Sequence, residues 1–376
     1  MKEQIKGTPW ALQRLVFDRL WETTRGRDPQ GRPVRVAVID TGVDTANIQL
    51  TSAVDARSGA DYLPVDKNAP EEDRRRPKNG TVDLVGHGTK VAGIIAARPR
   101  AGTGFVGLAP ESVIIPIRQN DDKGTGTPGT LAKAIDTAVA KKAQVINISQ
   151  DTKGGRPDPD LEAAVARAIR NDVVVVAAAG NDGADGASHD TYPASYPGVL
   201  AVAASDRNNE RAYFSQSGDF VGVAAPGVDI VSTVPKGGQC VDNGTSFAAP
   251  YAAGVAALLR AKHPDWKNNQ VIAQIEQTAE RGVNGHDRFI GWGVVDPVRA
   301  LTEDDHPIDR PTADTGVPRA AHRPEPAPLT LGETPQERRE RLATYAVGVG
   351  GILVAVTAGG AVVLRDWRGR RSAVTR

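Results

Sequence analysis

Three short segments, far apart in the chain, carry an acid, a base and a nucleophile. Asp40 lies in VIDTGVD, His87 begins HGTKVAG, and Ser246 lies in GTSFAAP. A serine hydroxyl is a poor nucleophile near neutral pH, so it needs an imidazole to take its proton and a carboxylate to fix the imidazole tautomer. These residue types predict acyl-transfer chemistry with Ser246 as nucleophile, His87 as base and Asp40 as the orienting group.

The elements around these residues would place them at one edge of a sheet. Asp40 follows the mostly apolar run 34–39, which predicts a buried parallel strand, so its carboxylate should lie at the carboxyl edge. His87 and Ser246 precede small-residue helical stretches at 91–97 and 248–259. The start of a helix stabilises negative charge that develops beside it, because its free backbone N–H groups and the positive end of the helix dipole lie there.

The body of the chain alternates short apolar strands with helices. This pattern predicts an α/β fold with a doubly wound, mostly parallel sheet flanked by helices. The strand candidates are 34–39, 113–117, 144–148, 173–179 and 199–203. The helix candidates are 130–142, 161–169, 246–260 and 269–278.

The chain order Asp, His, Ser, with glycines near each residue, resembles the subtilisin-like (subtilase) serine peptidases. Other triad folds run in different orders. The resemblance implies an acyl-enzyme mechanism and an oxyanion-hole role for Asn181, in the GNDG segment after the run 173–179. Asn181 would act with the backbone N–H of Ser246. Taken alone, Asn181 could also be a turn residue between its neighbouring glycines.

The same resemblance places two backbone edges that clamp a substrate peptide as an added strand. They are Gly124, Thr125 and Gly126 on one side, and Ser149, Gln150 and Asp151 on the other. Relatives usually show Ser-Leu-Gly in the second place. Gln150 and Asp151 depart from that pattern, which leaves the width and charge of the primary pocket open.

A charged, proline-containing stretch at 61–83 comes shortly before His87. We expect an exposed loop here. It could gate access to the site, or it could be a tolerated surface insertion.

Composition indicates a globular body, and nothing in its charge suggests nucleic-acid binding. The 376 residues are 40% hydrophobic, and 46 Lys and Arg against 45 Asp and Glu give a net charge of +1. The single cysteine, Cys240, has no disulfide partner in the chain and is expected to be a small buried hydrophobe. No cofactor or metal is predicted, because the remaining histidines lack metal-ligand spacing; we expect them to be solvated: His189, His263, His286, His306 and His322.

Composition divides the chain into five predicted segments. Residues 1–33 should form an N-terminal extension that packs on the body, and 34–302 the peptidase domain. Residues 303–341 are rich in charge and proline and predict an extended linker. Residues 342–364 carry no charge, enough for about 34 Å of helix, which predicts a transmembrane span. Residues 365–376 form a basic tail.

The charges that flank the span predict its orientation. Five arginines follow it and three precede it, which favours a cytoplasmic carboxyl terminus and an extracytoplasmic catalytic domain in the cell membrane. Residues 1–10 lack the apolar run of a signal peptide. We therefore expect either a truncated start or another export route.

Taken together, these parts resemble one subtilase branch, the mycosins of actinobacterial type VII secretion systems. The resemblance rests on the Pro-Trp segment at 9–10, Arg118-Gln119, the segment 245–251, the proline-rich linker and the single span. It implies a membrane-anchored endopeptidase that cuts secreted proteins and is associated with the secretion complex in the bilayer. Two alternatives remain open: a stabilising component of that complex with dispensable proteolysis, and a general degradative surface peptidase.

Overall fold

The computed structural model describes residues 4–13, 17–65, 67–68, 71–121, 126–152, 155–314 and 332–373. The chain divides into two compact units, Met1–Thr315 and Gly316–Arg376. The first unit contains the α/β body with all three predicted reactive residues. The second contains one long helix.

A seven-stranded sheet forms the centre of the first unit, in the order β2-β3-β1-β4-β5-β6-β7, with each neighbouring pair parallel. A separate antiparallel pair, β8-β9, lies outside it. The strands are β1 Arg35–Asp40, β2 Ala60–Asp61, β3 Val113–Arg118, β4 Val145–Ile148, β5 Val174–Ala178, β6 Val199–Ser205, β7 Val221–Pro226, β8 Ile230–Thr233 and β9 Gln239–Asp242.

Helices cover both faces of the sheet, which confirms the predicted fold class. One hydrophobic cluster includes residues of α4 and α7, and a second includes residues of α5 and α6. The helices are α1 Trp10–Gln13, α2 Phe17–Leu20, α3 Glu71–Arg74, α4 His87–Ala96, α5 Pro128–Ala140, α6 Pro159–Arg170, α7 Thr245–Lys262, α8 Asn268–Gln277, α9 Pro297–Thr302 and α10 Pro335–Ala373, with a 3₁₀ turn at Gly183–Asp185.

Each predicted strand and helix occurs within two residues of its expected bounds, with one informative exception. The helix expected at 91–97 already begins at His87. The glycine and polar residues of its first turn carry no apolar periodicity, so the sequence pattern starts one turn late.

The N-terminal extension packs on the body. Ala11, Leu12 and Leu20 are buried in the core cluster that also contains α4 and α7. Two indole N–H groups fix it further: Trp10 Nε1 donates to Val228 O at 3.1 Å, and Trp21 Nε1 donates to Leu108 O at 2.9 Å. Both indoles are partly buried, and an indole N–H in such a position usually finds an acceptor, so these bonds help to define where the extension lies.

The structure differs at both ends from the extended linker predicted for residues 303–341. Near its start Asp304 is buried and bonds to Lys262 and His263, and the Arg281 side chain donates to Asp314. Near its end, residues 335–341 already belong to α10. Composition alone predicts extension, because it does not reveal the partners on the body.

Two histidines expected to be solvated have specific partners instead. His263 stacks on Trp266 at 4.0 Å and bonds to Asp304 at 2.6 Å. His286 Nε2 lies 2.6 Å from Val221 O. Through these contacts both histidines help to hold the C-terminal part of the body in place.

Candidate active site

Asp40 and His87 form the central contact of the site. Asp40 is the last residue of β1 and is 2% exposed, and its Oδ1 lies 2.8 Å from His87 Nδ1. The Thr41 N–H donates to the same oxygen at 2.7 Å. A carboxylate only accepts, so Nδ1 carries the proton and Nε2 is left with a free lone pair. That tautomer is the one a general base needs.

A second buried carboxylate, Asp83, holds the start of α4 and was missed by the sequence reasoning. Its Oδ1 accepts from Thr41 Oγ1, Val85 N and Gly86 N, and its Oδ2 accepts from the N–H and the Oγ1 of Thr89. Thr41 Oγ1 in turn accepts from Gly88 N. The end of β1 and the first turn of α4 are therefore one hydrogen-bonded unit. The sequence feature that could have identified Asp83 is its position four residues before His87, which begins a helix.

The pKa of His87 lies above its ordinary value. Burial lowers it, but the negative charge and the hydrogen bond of Asp40 outweigh burial; Asp83 raises the pKa further and Lys90 opposes this. Lys90 Nζ bonds to Asp242 at 2.6 Å. The carboxylates thus make His87 a stronger base than a free imidazole.

Ser246 is the second residue of α7 and is 8% exposed. Its neighbour Phe247 places this turn beside the base, with the Phe247 and His87 rings 5.2 Å apart. Within the described part of the chain Ser246 Oγ makes no hydrogen bond, to His87 or elsewhere. Such contacts are often long before substrate binds.

A glycine keeps the space in front of the serine open. Gly244 has φ 152°, ψ 153°, and a Cβ there would come 2.8 Å from Ser246 Oγ. A side chain at this position would strain the backbone and crowd the hydroxyl. The close packing around the Ser246 hydroxyl thus explains the glycine at position 244.

Asn181 is exposed just after β5, and its side-chain orientation is fixed by Thr245. The N–H and Oγ1 of Thr245 lie 2.9 and 3.0 Å from Asn181 Oδ1, and Thr245 Oγ1 accepts from Gly180 N at 3.2 Å. Since Oδ1 accepts these bonds, Nδ2 remains as a donor for a ligand. The role of Thr245 was also missed by the sequence reasoning. The only sequence feature that pointed to this residue was its position next to Ser246.

Among the described residues, members of the two predicted substrate-binding edges lie close together. Gly126, Gln150 and Asp151 line one cavity of about 160 Å³, and Gln150 Nε2 bonds to Gln119 Oε1. Ser149, at the end of β4, is buried and accepts from Asn147 Nδ2 at 2.8 Å. Gly124 and Thr125 lie outside the described residues.

The charged stretch 61–83 is attached to the body at its first residue as well as at Asp83. Asp61 is nearly fully buried and pairs with Arg76 at 2.8 Å, with Arg118 Nη1 at 3.7 Å. The prediction of an exposed loop therefore fails at its two terminal carboxylates, which are buried with charged or hydrogen-bonding partners.

Comparison with known proteins agrees with this geometry. The model of the subtilase family matches residues 31–293. Subtilisin E of Bacillus subtilis (strain 168) is 38% identical over 294 residues, covering 78% of this chain and 71% of the relative. Subtilisin of Bacillus pumilus is 39% identical over 250 residues, covering 66% and 84%.

Solved structures point to the same family. The MycP3 protease from the type VII (ESX-3) secretion system is similar with a TM-score of 0.68 and 34% identity, over 80% of this chain and 89% of that one. MycP1 from Mycobacterium smegmatis gives 0.68 and 31%, over 89% and 90%. The range matched by the family model, 31–293, includes Asp40, His87, Ser246 and all seven strands of the parallel sheet. The chain belongs to the subtilase family and is a serine endopeptidase.

Proposed function

We propose that Ser246, His87, Asp40 and Asn181 carry out peptide-bond hydrolysis through an acyl-enzyme. The supporting observation is the 2.8 Å contact between His87 Nδ1 and the buried Asp40, which leaves Nε2 free as a proton acceptor beside the start of α7. Ser246 Oγ attacks the peptide carbonyl while its proton passes to Nε2.

The negative oxygen that forms in this step needs donors. Asn181 Nδ2 and the Ser246 backbone N–H supply them, because Asn181 Oδ1 is occupied by Thr245 and the first N–H groups of a helix lack intrahelical acceptors. The intermediate collapses, the C–N bond breaks, and the leaving amine takes the proton from His87. Water then repeats the steps on the acyl-enzyme.

A fluorophosphonate probe tests this assignment. The full-length chain in detergent is expected to be labelled covalently at Ser246, whereas Ser246→Ala is expected to be unlabelled and His87→Ala strongly slowed. Equal labelling of the wild type and Ser246→Ala would place the nucleophile elsewhere.

We also propose that residues 342–364, inside α10, anchor the chain in a membrane. The helical segment Pro335–Arg368 has a mean hydropathy of 2.2 in its most apolar window, and its large apolar side chains are exposed, including Leu342, Ile352 and Leu364. A run of this length and composition is stable in hydrocarbon. Carbonate extraction should leave the full chain in the membrane and release a form that ends at Arg341; release of both forms would contradict the anchor.

A role in a type VII secretion complex is the second candidate. A second MycP1 structure, 32% identical with a TM-score of 0.68, is that of an essential component of the type VII (ESX-1) secretion system, and the apolar helix would supply an attachment within a membrane assembly. Here the body would face the cell exterior and cut secreted proteins, while the chain also stabilises the complex. Deletion should abolish secretion and alter the complex on native gels, whereas Ser246→Ala should leave the complex intact. An unchanged complex after deletion would favour a free-standing surface peptidase.

A further inference from the structure

A cavity of about 630 Å³ lies directly beside Asn181. Gly180, the residue before Asn181, packs against three of the lining residues: a Cβ at Gly180 would lie 3.0 Å from Thr191 Cγ2, 3.3 Å from Asp151 Oδ2 and 3.5 Å from Gln216 Cβ. Asp182, the residue after Asn181, lines the same cavity. The size falls within the range of about 300–1,000 Å³ that is usual for ligand pockets.

The position of the cavity decides which part of a substrate enters it. If Asn181 holds the carbonyl oxygen, as proposed above, the Cα bonded to that carbonyl carbon lies next to Asn181. Its side chain must then leave towards the nearest open concavity. The cavity therefore receives the side chain of the residue on the acyl side of the scissile bond, an inference that rests on the proposed function.

The lining of this cavity is acidic. Asp151, Asp182 and Asp190 all contribute to it. Within the described ranges, none of the three carboxylates makes an ion pair or accepts a hydrogen bond from another residue's side chain. The described lining contains one basic residue, His189, whose ring is exposed and lies 4.0 Å from Asp185. Among the described residues, the three negative charges therefore lack a matching cation.

Two further features show that the cavity is suited to a polar ligand. Partial burial raises the pKa of Asp151, and the charge of Asp182 raises it further, so both carboxylates would gain from a cation between them. Gln216 is 1% exposed; its N–H donates to Gly180 O and its Oε1 accepts from Ser217 N. Its Nε2 has no acceptor among the described residues, so it remains available to donate to a ligand or water in the cavity.

We propose that this cavity selects substrates with a cationic side chain, lysine or arginine, on the acyl side of the cleaved bond, and that Asp151 and Asp182 determine that selection. A cationic group gains charge-assisted hydrogen bonds to these carboxylates. An apolar side chain would instead displace their water without replacing its hydrogen bonds. The departure from Ser-Leu-Gly at 149–151 thus has a functional consequence.

The test compares two peptides that differ only in charge. A lysine peptide and its norleucine analogue, each otherwise identical, are bound to full-length Ser246→Ala in detergent and followed by fluorescence anisotropy. The lysine peptide is expected to bind about tenfold more tightly or better. Asp151→Asn and Asp182→Asn, each added to Ser246→Ala, should reduce that ratio several-fold. Asp185→Asn is the matched control, because Asp185 lies on the neighbouring 3₁₀ turn and does not line the cavity.

Lys153 requires its own variant, because it lies outside the described residues and close in sequence to Asp151. With Lys153→Ala the preference for lysine is expected to persist or increase. Equal or weaker binding of the lysine peptide to the parent chain, or a ratio unaffected by both aspartate substitutions, would overturn the inference. Fluorophosphonate labelling of the wild type judges the proposed function separately, since the binding ratio does not require a working nucleophile.

Discussion

Two sets of carboxylates in the same body behave in opposite ways. Asp40 and Asp83, at the ends of β1 and before α4, are buried and accept hydrogen bonds from His87 and from the first turn of the helix. Asp151, Asp182 and Asp190, around the cavity beside Asn181, have no such partners among the described residues. A carboxylate whose lone pairs are used internally fixes geometry, whereas one whose lone pairs are free is available to a ligand.

The largest expected effect comes from the internally bonded set. Asp40→Asn would present an amide N–H to His87 Nδ1, which favours the tautomer with its proton on Nε2. His87 could then no longer accept the proton of Ser246, and we expect kcat to fall by roughly 10⁴-fold. Single-turnover kinetics measure the loss, and circular dichroism should show an unchanged fold. A loss below about tenfold would mean that Asp40 has a packing role only.

Asn181 combines the two kinds of behaviour, because Thr245 occupies its Oδ1 while its Nδ2 is left as a donor. Asn181→Ala should lower kcat by about 10²–10³-fold, the loss known for the corresponding residue of subtilisin and borrowed from there. KM should change little, since the hydrogen bond forms mainly in the transition state. A change confined to KM would make Asn181 a binding residue.

The two sets should also differ in their effect on folding. Asp83→Asn places an amide N–H against the Thr89 donors and should lower the free energy of unfolding by about 2–4 kcal/mol. The matched substitution Asp182→Asn is expected to change it by no more than about 0.5 kcal/mol. Denaturant titration followed by tryptophan fluorescence measures both variants. Equal effects would remove the distinction between the two sets.

The pH dependence of activity sharpens the comparison. Because Asp40 raises the pKa of His87 despite burial, the loss of activity on acidification should have its midpoint above the ordinary histidine value of about 6.5. Asp83 also raises this pKa and Lys90 lowers it, so Asp83→Asn should move the midpoint down and Lys90→Met should move it up. A midpoint below 6.5 would show that burial outweighs the carboxylates.

A further prediction concerns a carboxyl group that belongs to neither set. Burial raises the pKa of Glu276, on α8, from 4.5 to about 8. The neutral folded form therefore contributes stability that is complete below pH 4.5 and is lost as the pH rises towards about 8. Unfolding of Glu276→Gln and wild type between pH 5 and 9 should show wild-type stability falling relative to the variant. Parallel curves would show that Glu276 keeps its ordinary pKa.

Much of the fold was predictable from local pattern. The runs 113–117 and 174–178 are continuous and apolar, as expected for parallel strands that are buried on both faces. The start of α4 was predicted late, because its first turn is specified by contacts with Thr41 and Asp83 rather than by apolar spacing. The packing of 303–314 was missed for the same reason: its partners Lys262, His263 and Arg281 precede it by tens of residues.

The sequence by itself determined the family, the sheet class and the residue types that could form a triad, because these depend on periodicity and on short motifs. It left the charge of the primary pocket open at Gln150 and Asp151. Tertiary structure brings the carboxylates of Asp151, Asp182 and Asp190 from two connections, β4–α6 and β5–β6, to the lining of one cavity, and this arrangement supports the proposal made above for the charge of that pocket. It also decided that Thr245 orients Asn181 and that Asp83 supports His87. These roles depend on contacts between residues remote in sequence, Thr245 with Asn181 and Asp83 with Thr41, and no local pattern encodes the distances between them.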